Sequence, residues 1–162
     1  MRHIITLEVE NNSGVLARVA GLFSARGFNI ESLSVAKAEA EDISRMTLVV
    51  RGDDAIIEQI NKQLNKLIDV IRVVDVTKNY FVERELSLAR VNCPPAKRGE
   101  VQQINEIFGA KVVDISPKSM TMEMVGSEAK IEAFLETMRP FGIKEVARTG
   151  PIAMLREARK IN

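Results

Sequence analysis

Residues 2–27 read RHIITLEVENNSGVLARVAGLFSARG, and the hydrophobic period changes within this stretch. In Arg2–Glu10 one face carries His3, Ile5, Leu7 and Val9 and the other carries Ile4, Thr6, Glu8 and Glu10, which predicts a strand with one buried face. After the polar break at Asn11–Gly14, apolar residues recur at helical spacing, and Gly27 ends the helix as a left-handed cap. The stretch therefore predicts a strand, a short loop and a helix, in that order.

Both halves of the chain continue as strand, helix, strand, strand, helix, strand. In the first half the later elements are strands at Phe28–Ala36, Arg45–Arg51 and Val70–Val76, and a helix from Gly52 whose apolar stripe reaches Ile68. The second half is predicted to contain strands at Glu85–Asn92, Lys111–Ile115, Ser119–Val125 and Ile143–Arg148. Its helices are predicted over Gly99–Phe108, with Ile107 facing inward, and from Ser127. The residues Leu155–Ile161 form a basic tail that could be helical.

The two halves resemble each other at a constant spacing. Met46-Thr47-Leu48 matches Met120-Thr121-Met122, and the same distance along the chain separates Gly52 from Gly126. A βαββαβ order predicts four antiparallel strands with both helices on one face. The sequence therefore predicts an α+β fold of two tandem ferredoxin-like βαββαβ domains, at residues 1–77 and 85–162, joined by a linker at 78–84.

In this arrangement the sheet face away from the helices is left uncovered. Val74 and Val76 alternate with Val73 in the fourth strand, so apolar side chains point to both faces. A domain of about 75 residues also has a small hydrophobic core. Both observations favour a homodimer in which sheets join or stack. The alternative is that the two halves cover each other within one chain.

Charge and composition exclude several classes of protein. The 23 Lys+Arg and 22 Asp+Glu nearly cancel at a net charge of +1, which argues against a dedicated nucleic-acid binder. One His and one Cys exclude a multi-histidine metal site and an internal disulfide. No apolar run approaches the roughly 18 residues of a membrane span, and a signal-peptide pattern is missing. We therefore expect a cytoplasmic protein without a metal site or a membrane partner.

The reactive side chains are few, and they predict no catalytic residue. Cys93 lies before two prolines and far from His3, so a Cys–His pair has no local signature. The acidic residues Glu39, Glu41 and Asp42 fall on a hairpin tip, where charged side chains are usually exposed to solvent. A weak cation-binding site at this tip is an alternative interpretation. An RNA-recognition domain of the same topology needs aromatic residues on its central strands, and these strands have none.

One segment suggests a ligand site, namely the loop Asn11-Asn12-Ser13-Gly14 with the helix start Val15-Leu16. The N–H groups and positive dipole end of a helix N-terminus suit a carboxylate, and Gly14 lets a ligand approach the backbone. Asn11 offers a donor and an acceptor, which suits a zwitterion. From spacing alone, a plain loop with a helix cap explains the segment better. A second polar position, Asn29 beside Ile30, fits a turn after a glycine cap.

These residues carry a family likeness. The runs Asn11–Val19, Gly21–Ser24 and Arg26–Leu33 resemble the ACT domain. Further matches make the chain similar to the small regulatory subunits of acetolactate synthase, and they lie at Ser44–Thr47, Gln59–Leu64, Val82–Leu86, Ile115–Pro117 and Pro140–Gly150. The likeness spans nearly the whole chain. The first-helix motif marks only an ACT domain, and the more specific match rests on Asn29–Leu33 together with the second half.

The resemblance implies a regulatory subunit and not an enzyme. It implies a large catalytic subunit as partner, which this chain activates and makes sensitive to valine; thiamine diphosphate, Mg and FAD belong to that partner, and no cofactor to this chain. The family forms homodimers whose ACT domains join sheets edge to edge, with effector sites at the interface. The implied valine site has Asn11, Gly14, Val15 and Leu16 of one chain facing Asn29 and Ile30 of the other.

Two other hypotheses stay open at the level of sequence. A freestanding ACT domain could sense an amino acid and act on some other enzyme. A tandem RNA-binding protein is the second hypothesis, which the missing aromatic residues disfavour.

Overall fold

The computed structural model describes residues 1–157 of the chain. Its elements are β1 (Arg2–Glu10), α1 (Val15–Ala25), β2 (Ile30–Lys37), β3 (Ile43–Arg51), α2 (Asp54–Leu64), β4 (Val70–Asp75), β5 (Phe81–Asn92), α3 (Arg98–Phe108), β6 (Lys111–Ile115), β7 (Ser119–Gly126), α4 (Glu128–Met138), β8 (Ile143–Arg148) and β9 (Ile152–Leu155). The α+β fold with two βαββαβ repeats is confirmed. The strand β9 is an element that the sequence analysis does not contain.

The chain divides into two compact units, and the division differs from the expected domains. Among the described residues, one unit is Met1–Val82 together with 152–157, and the other is Glu83–Pro151. The expected linker at 78–84 is partly strand, because β5 already begins at Phe81. The expected second domain at 85–162 loses its final part to the first unit, because β9 packs there.

The first unit is a four-stranded antiparallel sheet in the order β2-β3-β1-β4. Alternation in β1 sends Ile5, Leu7 and Val9 to one face, where they are fully buried against both helices. The helices contribute the other half of this core, namely Val15, Val19, Phe23, Ile57, Ile60 and Leu64. Asp53 caps α2 by accepting a hydrogen bond from the Ile56 N–H at 2.8 Å, a typical helix start.

The opposite face of this sheet is covered in part by the chain itself. Ile4, Val49 and Val76 are buried there in a cluster with Ala153 of β9. The Arg156 N–H donates to the Tyr80 carbonyl at 2.8 Å, which fixes the end of this segment. We call Ile152–Leu155 the strap. It covers the apolar end of the sheet face that the βαββαβ order leaves open.

The second unit has the strand order β6-β7-β5-β8. Its core lies between the sheet and the helices α3 and α4, and it contains Ala89, Val91, Val101, Met120, Met122, Met124, Ile131, Phe134 and Met138. Gly109 ends α3 in the left-handed conformation with φ of 69°, as the sequence predicts.

Three expectations about single elements need correction. Ile68 is 92% exposed and not part of the apolar stripe, because α2 ends at Leu64. Ile107 is 79% exposed, and Asn105 is buried in α3 instead, since inward positions recur every three to four residues from Val101. The tail Leu155–Ile161 begins as strand; its residues from 158 onward lie outside the described part of the chain.

Candidate functional site

The loop between β1 and α1 is tied to the hairpin that joins β2 and β3. The Asn11 backbone N–H donates to the Asp42 carbonyl at 2.7 Å, and its side-chain Nδ2 donates to the Glu41 carbonyl at 3.0 Å. Its Oδ1 accepts from the Ser44 hydroxyl at 3.0 Å. Asn11 therefore holds the loop in place, and its side-chain amide has one further N–H and one further lone pair that no residue of the range 1–157 engages.

The helix that follows this loop starts without a side-chain cap. Gly14 occupies the N-cap position with φ of 83° and ψ of −8°, a left-handed conformation that strains other residues. Because glycine has no side chain, it supplies no capping oxygen to the first turn. The Val15 N–H is bonded to the Asn12 carbonyl at 3.5 Å, whereas the Leu16 N–H receives no side-chain cap from Gly14. These N–H groups and the positive dipole end leave an electropositive backbone surface at the loop.

A residue that sequence reasoning missed, Arg18, adds a cation to this surface. Its Nη1 would lie 3.1 Å from a Cβ atom built on Gly14, and its Nε donates to Asp69 Oδ2 at 2.6 Å. The signal was present in the spacing, because helical side chains lean toward the N-terminus and residues four apart are neighbours. The guanidinium and the open amides together suit a carboxylate.

The two apolar residues at the helix start have different roles. Val15 is buried in the core, so only its backbone reaches the loop. Leu16 is 42% exposed beside the loop, where its side chain can contact a ligand. The polar and apolar requirements of a small amino acid thus meet at one end of α1.

The other two expected site residues lie at the opposite end of the same sheet. Ile30 pairs with Val50, and Val50 pairs with His3 near the start of β1. Asn29 directly precedes Ile30, whereas Asn11 directly follows β1. The eight positions from His3 to Asn11 correspond to roughly 26 Å of extended strand. Within one chain, the structure does not bring Asn29 and Ile30 to the helix start.

Cys93 and His3, the other candidate reactive residues, do not form a second catalytic or metal site within residues 1–157. Burial raises the pKa of the Cys93 thiol, which Arg98 lowers to a smaller extent, and the raised pKa disfavours the nucleophilic thiolate. The buried His3 ring contacts Asp75 Oδ2 at 3.1 Å through Nδ1. Within residues 1–157, no group of three or more His, Cys, Asp or Glu side chains could hold a metal ion. In the same range, no helix is long and apolar enough to cross a membrane.

Family models match both halves of the chain. Residues 5–72 match the model described as an AHAS small subunit-like ACT domain. Residues 84–157 match the model described as the small subunit of acetolactate synthase.

Full-length relatives carry the same description. A protein from Archaeoglobus fulgidus, described as a probable acetolactate synthase small subunit, is 56% identical over 160 residues, which are 99% of this chain and 100% of the relative. The acetolactate synthase small subunit of Bacillus subtilis is 48% identical over 157 residues, covering 96% of this chain and 91% of the relative. The crystal structure of the acetolactate synthase small subunit from Thermotoga maritima superposes with a TM-score of 0.88 at 38% identity, covering 98% of this chain and 99% of that one.

Proposed function

The chain belongs to the family of acetolactate synthase small subunits, and from that membership we propose that it binds and activates the large catalytic subunit and makes it sensitive to feedback inhibition by valine. As a small subunit with an ACT domain it is not itself the catalytic chain. The proposal places the chain in the cytoplasm, in branched-chain amino acid biosynthesis. It assigns thiamine diphosphate, Mg and FAD to the catalytic partner.

The observation that carries the valine site is the uncapped start of α1 with a guanidinium beside it. Gly14 supplies no capping oxygen, and Arg18 stands next to it. A valine carboxylate would accept hydrogen bonds from the first-turn amides and interact with the positive charge of Arg18. The remaining lone pair of the Asn11 side-chain oxygen is an acceptor for the ammonium group.

A second copy of the chain would complete the site. The strand β2 forms one edge of the first sheet, so it can pair with another β2. A two-fold axis would make this pairing antiparallel, which sets the Asn29 end of one β2 beside the Lys37 end of the other. The Lys37 end adjoins the hairpin to which Asn11 is bonded. Antiparallel edge pairing therefore supports a site in which Asn29 and Ile30 of one copy face the helix start of the other.

The pocket so formed would recognise valine by shape as well as by charge. Leu16 of one copy and Ile30 of the other supply apolar contacts for the isopropyl group. One methylene changes binding by about 1–3 kcal/mol in such a pocket, so leucine and isoleucine are rejected only in part. Feedback inhibition requires a coupling free energy of about 1–3 kcal/mol between valine binding at this site and the activity of the catalytic subunit.

An activity assay tests the proposal. The large subunit is assayed alone and with this chain, and valine is titrated into both samples. We expect the chain to raise the activity and valine to lower it only in the mixture. Unchanged activity on mixing would refute the role as activating subunit, and a valine response that needs no small subunit would refute its role in feedback inhibition.

A further inference from the structure

A row of charged side chains lies on the sheet face that the strap covers, away from the helices. Glu8 of β1 stands directly opposite Arg45 of β3 on one side and Arg72 of β4 on the other. Residues paired in this way point to the same face of the sheet, so the position of Glu8 lies between those of two arginines. The row carries an excess of one positive charge.

The two arginines of this row are engaged to different extents. Arg45 Nη1 lies 3.4 Å from Glu8 Oε1, and its Nη2 donates to the Ala153 carbonyl of the strap at 3.2 Å. No hydrogen bond or ion pair joins the side chain of the exposed Arg72 to another residue of the range 1–157. A guanidinium presents a rigid fork of donors that matches a carboxylate, and that of Arg72 is available.

A cavity of about 190 Å³ adjoins this row. Its polar side is formed by the charged row and Thr6, and its apolar side by Val74 with Met154 and Leu155 of the strap. This volume is well above the roughly 10–15 Å³ of accessible space that one water molecule requires, so the cavity can hold a small organic ligand. Exposed side chains at its rim, Arg72 and Met154, leave the cavity open to solvent.

We propose that this cavity binds a small aliphatic carboxylate, with the carboxylate on Arg72 and the alkyl group on Val74, Met154 and Leu155. Inorganic phosphate lacks the apolar part that the strap side would contact. The site is separate from the start of α1, since it lies on the sheet face without helices.

Methionine-methyl NMR of the full chain tests the proposal. Isovalerate is the probe, because it has the body of valine without the ammonium group. We expect a saturable shift of the Met154 methyl signal, with that of Met122 in the other core unmoved. We expect inorganic phosphate to bind more weakly and 3-methyl-1-butanol, which has no charge, to leave the signal unchanged. A Met154 signal that ignores isovalerate, or that follows the alcohol equally well, overturns the proposal.

Variants locate the carboxylate. Arg72→Gln should weaken isovalerate binding by about tenfold or more, because it removes a charged hydrogen-bonding partner, and Arg72→Lys should restore part of the affinity. Arg26→Gln removes an exposed arginine elsewhere in the first unit and should have no effect. Equal affinity of Arg72→Gln and the unchanged protein would contradict the assignment. Gly14→Asp should leave isovalerate binding at Met154 intact, which separates this site from the proposed valine site.

Discussion

At the scale of single residues, Asn11 and Gly14 have different roles in the loop between β1 and α1. Asn11 fastens the loop to a hairpin about thirty residues further along the chain, through its backbone and both of its side-chain polar atoms. Gly14 keeps the first turn of α1 open by having no side chain. The first residue positions the site, and the second leaves room for the ligand.

We predict that Gly14→Asp abolishes valine sensitivity. The new carboxylate would cap the amides, repel the carboxylate of valine, and force a side chain into a left-handed conformation beside Arg18. The measurement is inhibition of the reconstituted enzyme across a valine titration. Gly21→Asp is the matched control, because Gly21 lies in the same helix with open space around it. Full valine sensitivity in Gly14→Asp would show that the site lies elsewhere.

We predict that Asn11→Ala lowers the free energy of unfolding by about 1–3 kcal/mol, since two side-chain hydrogen bonds at about 0.5–1.5 kcal/mol each are lost. Urea unfolding of the isolated chain measures the change. Asn12→Ala is the control, because Asn12 makes one exposed hydrogen bond to Glu10 at 2.9 Å. If both variants lose the same stability, the fastening role of Asn11 is wrong.

Residue-level sequence reasoning found the loop but not its contacts. The polar break and the helical spacing identified Gly14 and Leu16, because both follow from local pattern. That Asn11 bonds to Glu41 and Ser44 depends on where β2 and β3 pair, which local pattern does not contain. Arg18 looked like a solvent-exposed residue, although its spacing from Gly14 was a usable signal.

At the scale of elements, β2 and β4 form the two edges of the first sheet, and β2 is the longer. Exposed edges of this length invite pairing with a second chain. Val35, which lies opposite Met46, is 45% exposed on this strand. An apolar side chain on an open edge is suited to an interface.

We predict that Val35→Asp dissociates the proposed dimer and removes valine binding with it. A charge on the β2 edge would be desolvated without a partner when two copies pair. Sedimentation velocity reports the mass, and calorimetry reports valine binding. Val113→Asp is the control, since Val113 is 52% exposed on a strand of the other unit, close to the 45% of Val35. A dimer that survives Val35→Asp would exclude pairing through this edge.

Secondary-structure elements are predicted correctly where the local hydrophobic pattern determines their bounds. The prediction fails where contacts with distant parts of the chain determine whether a segment is buried. The bounds of β1 agree to the residue, because the alternation of Ile5, Leu7 and Val9 and the polar break after Glu10 are both visible in the sequence. The strap is not predicted, because a strand of four residues is too short to show a clear hydrophobic alternation. Its burial also depends on contact with a sheet face formed by residues far away in the sequence. The prediction of Ile107 as an inward residue fails for a similar reason: Asn105 is buried there instead, and its polar side chain lies beside the sulfur of Met120 at 4.0 Å.

At the scale of the whole molecule, the boundary between the units changes what a truncation does. A chain ending at Arg84 keeps the first sheet and both of its helices but loses the strap. Ile4, Val49 and Val76 would then be exposed on an open face. Exposure of this cluster costs roughly 2–5 kcal/mol at about 25 cal/mol per Å².

We predict that the fragment 1–84 is less stable than a fusion that appends residues 152–157 through a flexible linker. The fusion restores the cover on the open sheet face, whereas the bare fragment exposes an apolar patch. Thermal unfolding and light scattering of both proteins measure the difference. A fusion in which Ala153 is replaced by Asp is the control and should behave like the bare fragment. Equal stability of all three would show that the strap contributes nothing.

The strap also affects how the molecule is made. Arg45 and Ala153 are 108 positions apart in the chain, yet they share a hydrogen bond. Contacts between such distant positions slow folding, because a large loop must close before they form. During synthesis, the sheet of the first unit emerges from the ribosome well before the strand that covers it. The first unit to be translated is thus completed only after the second has been translated, and until then its open face is a surface that a chaperone could recognise.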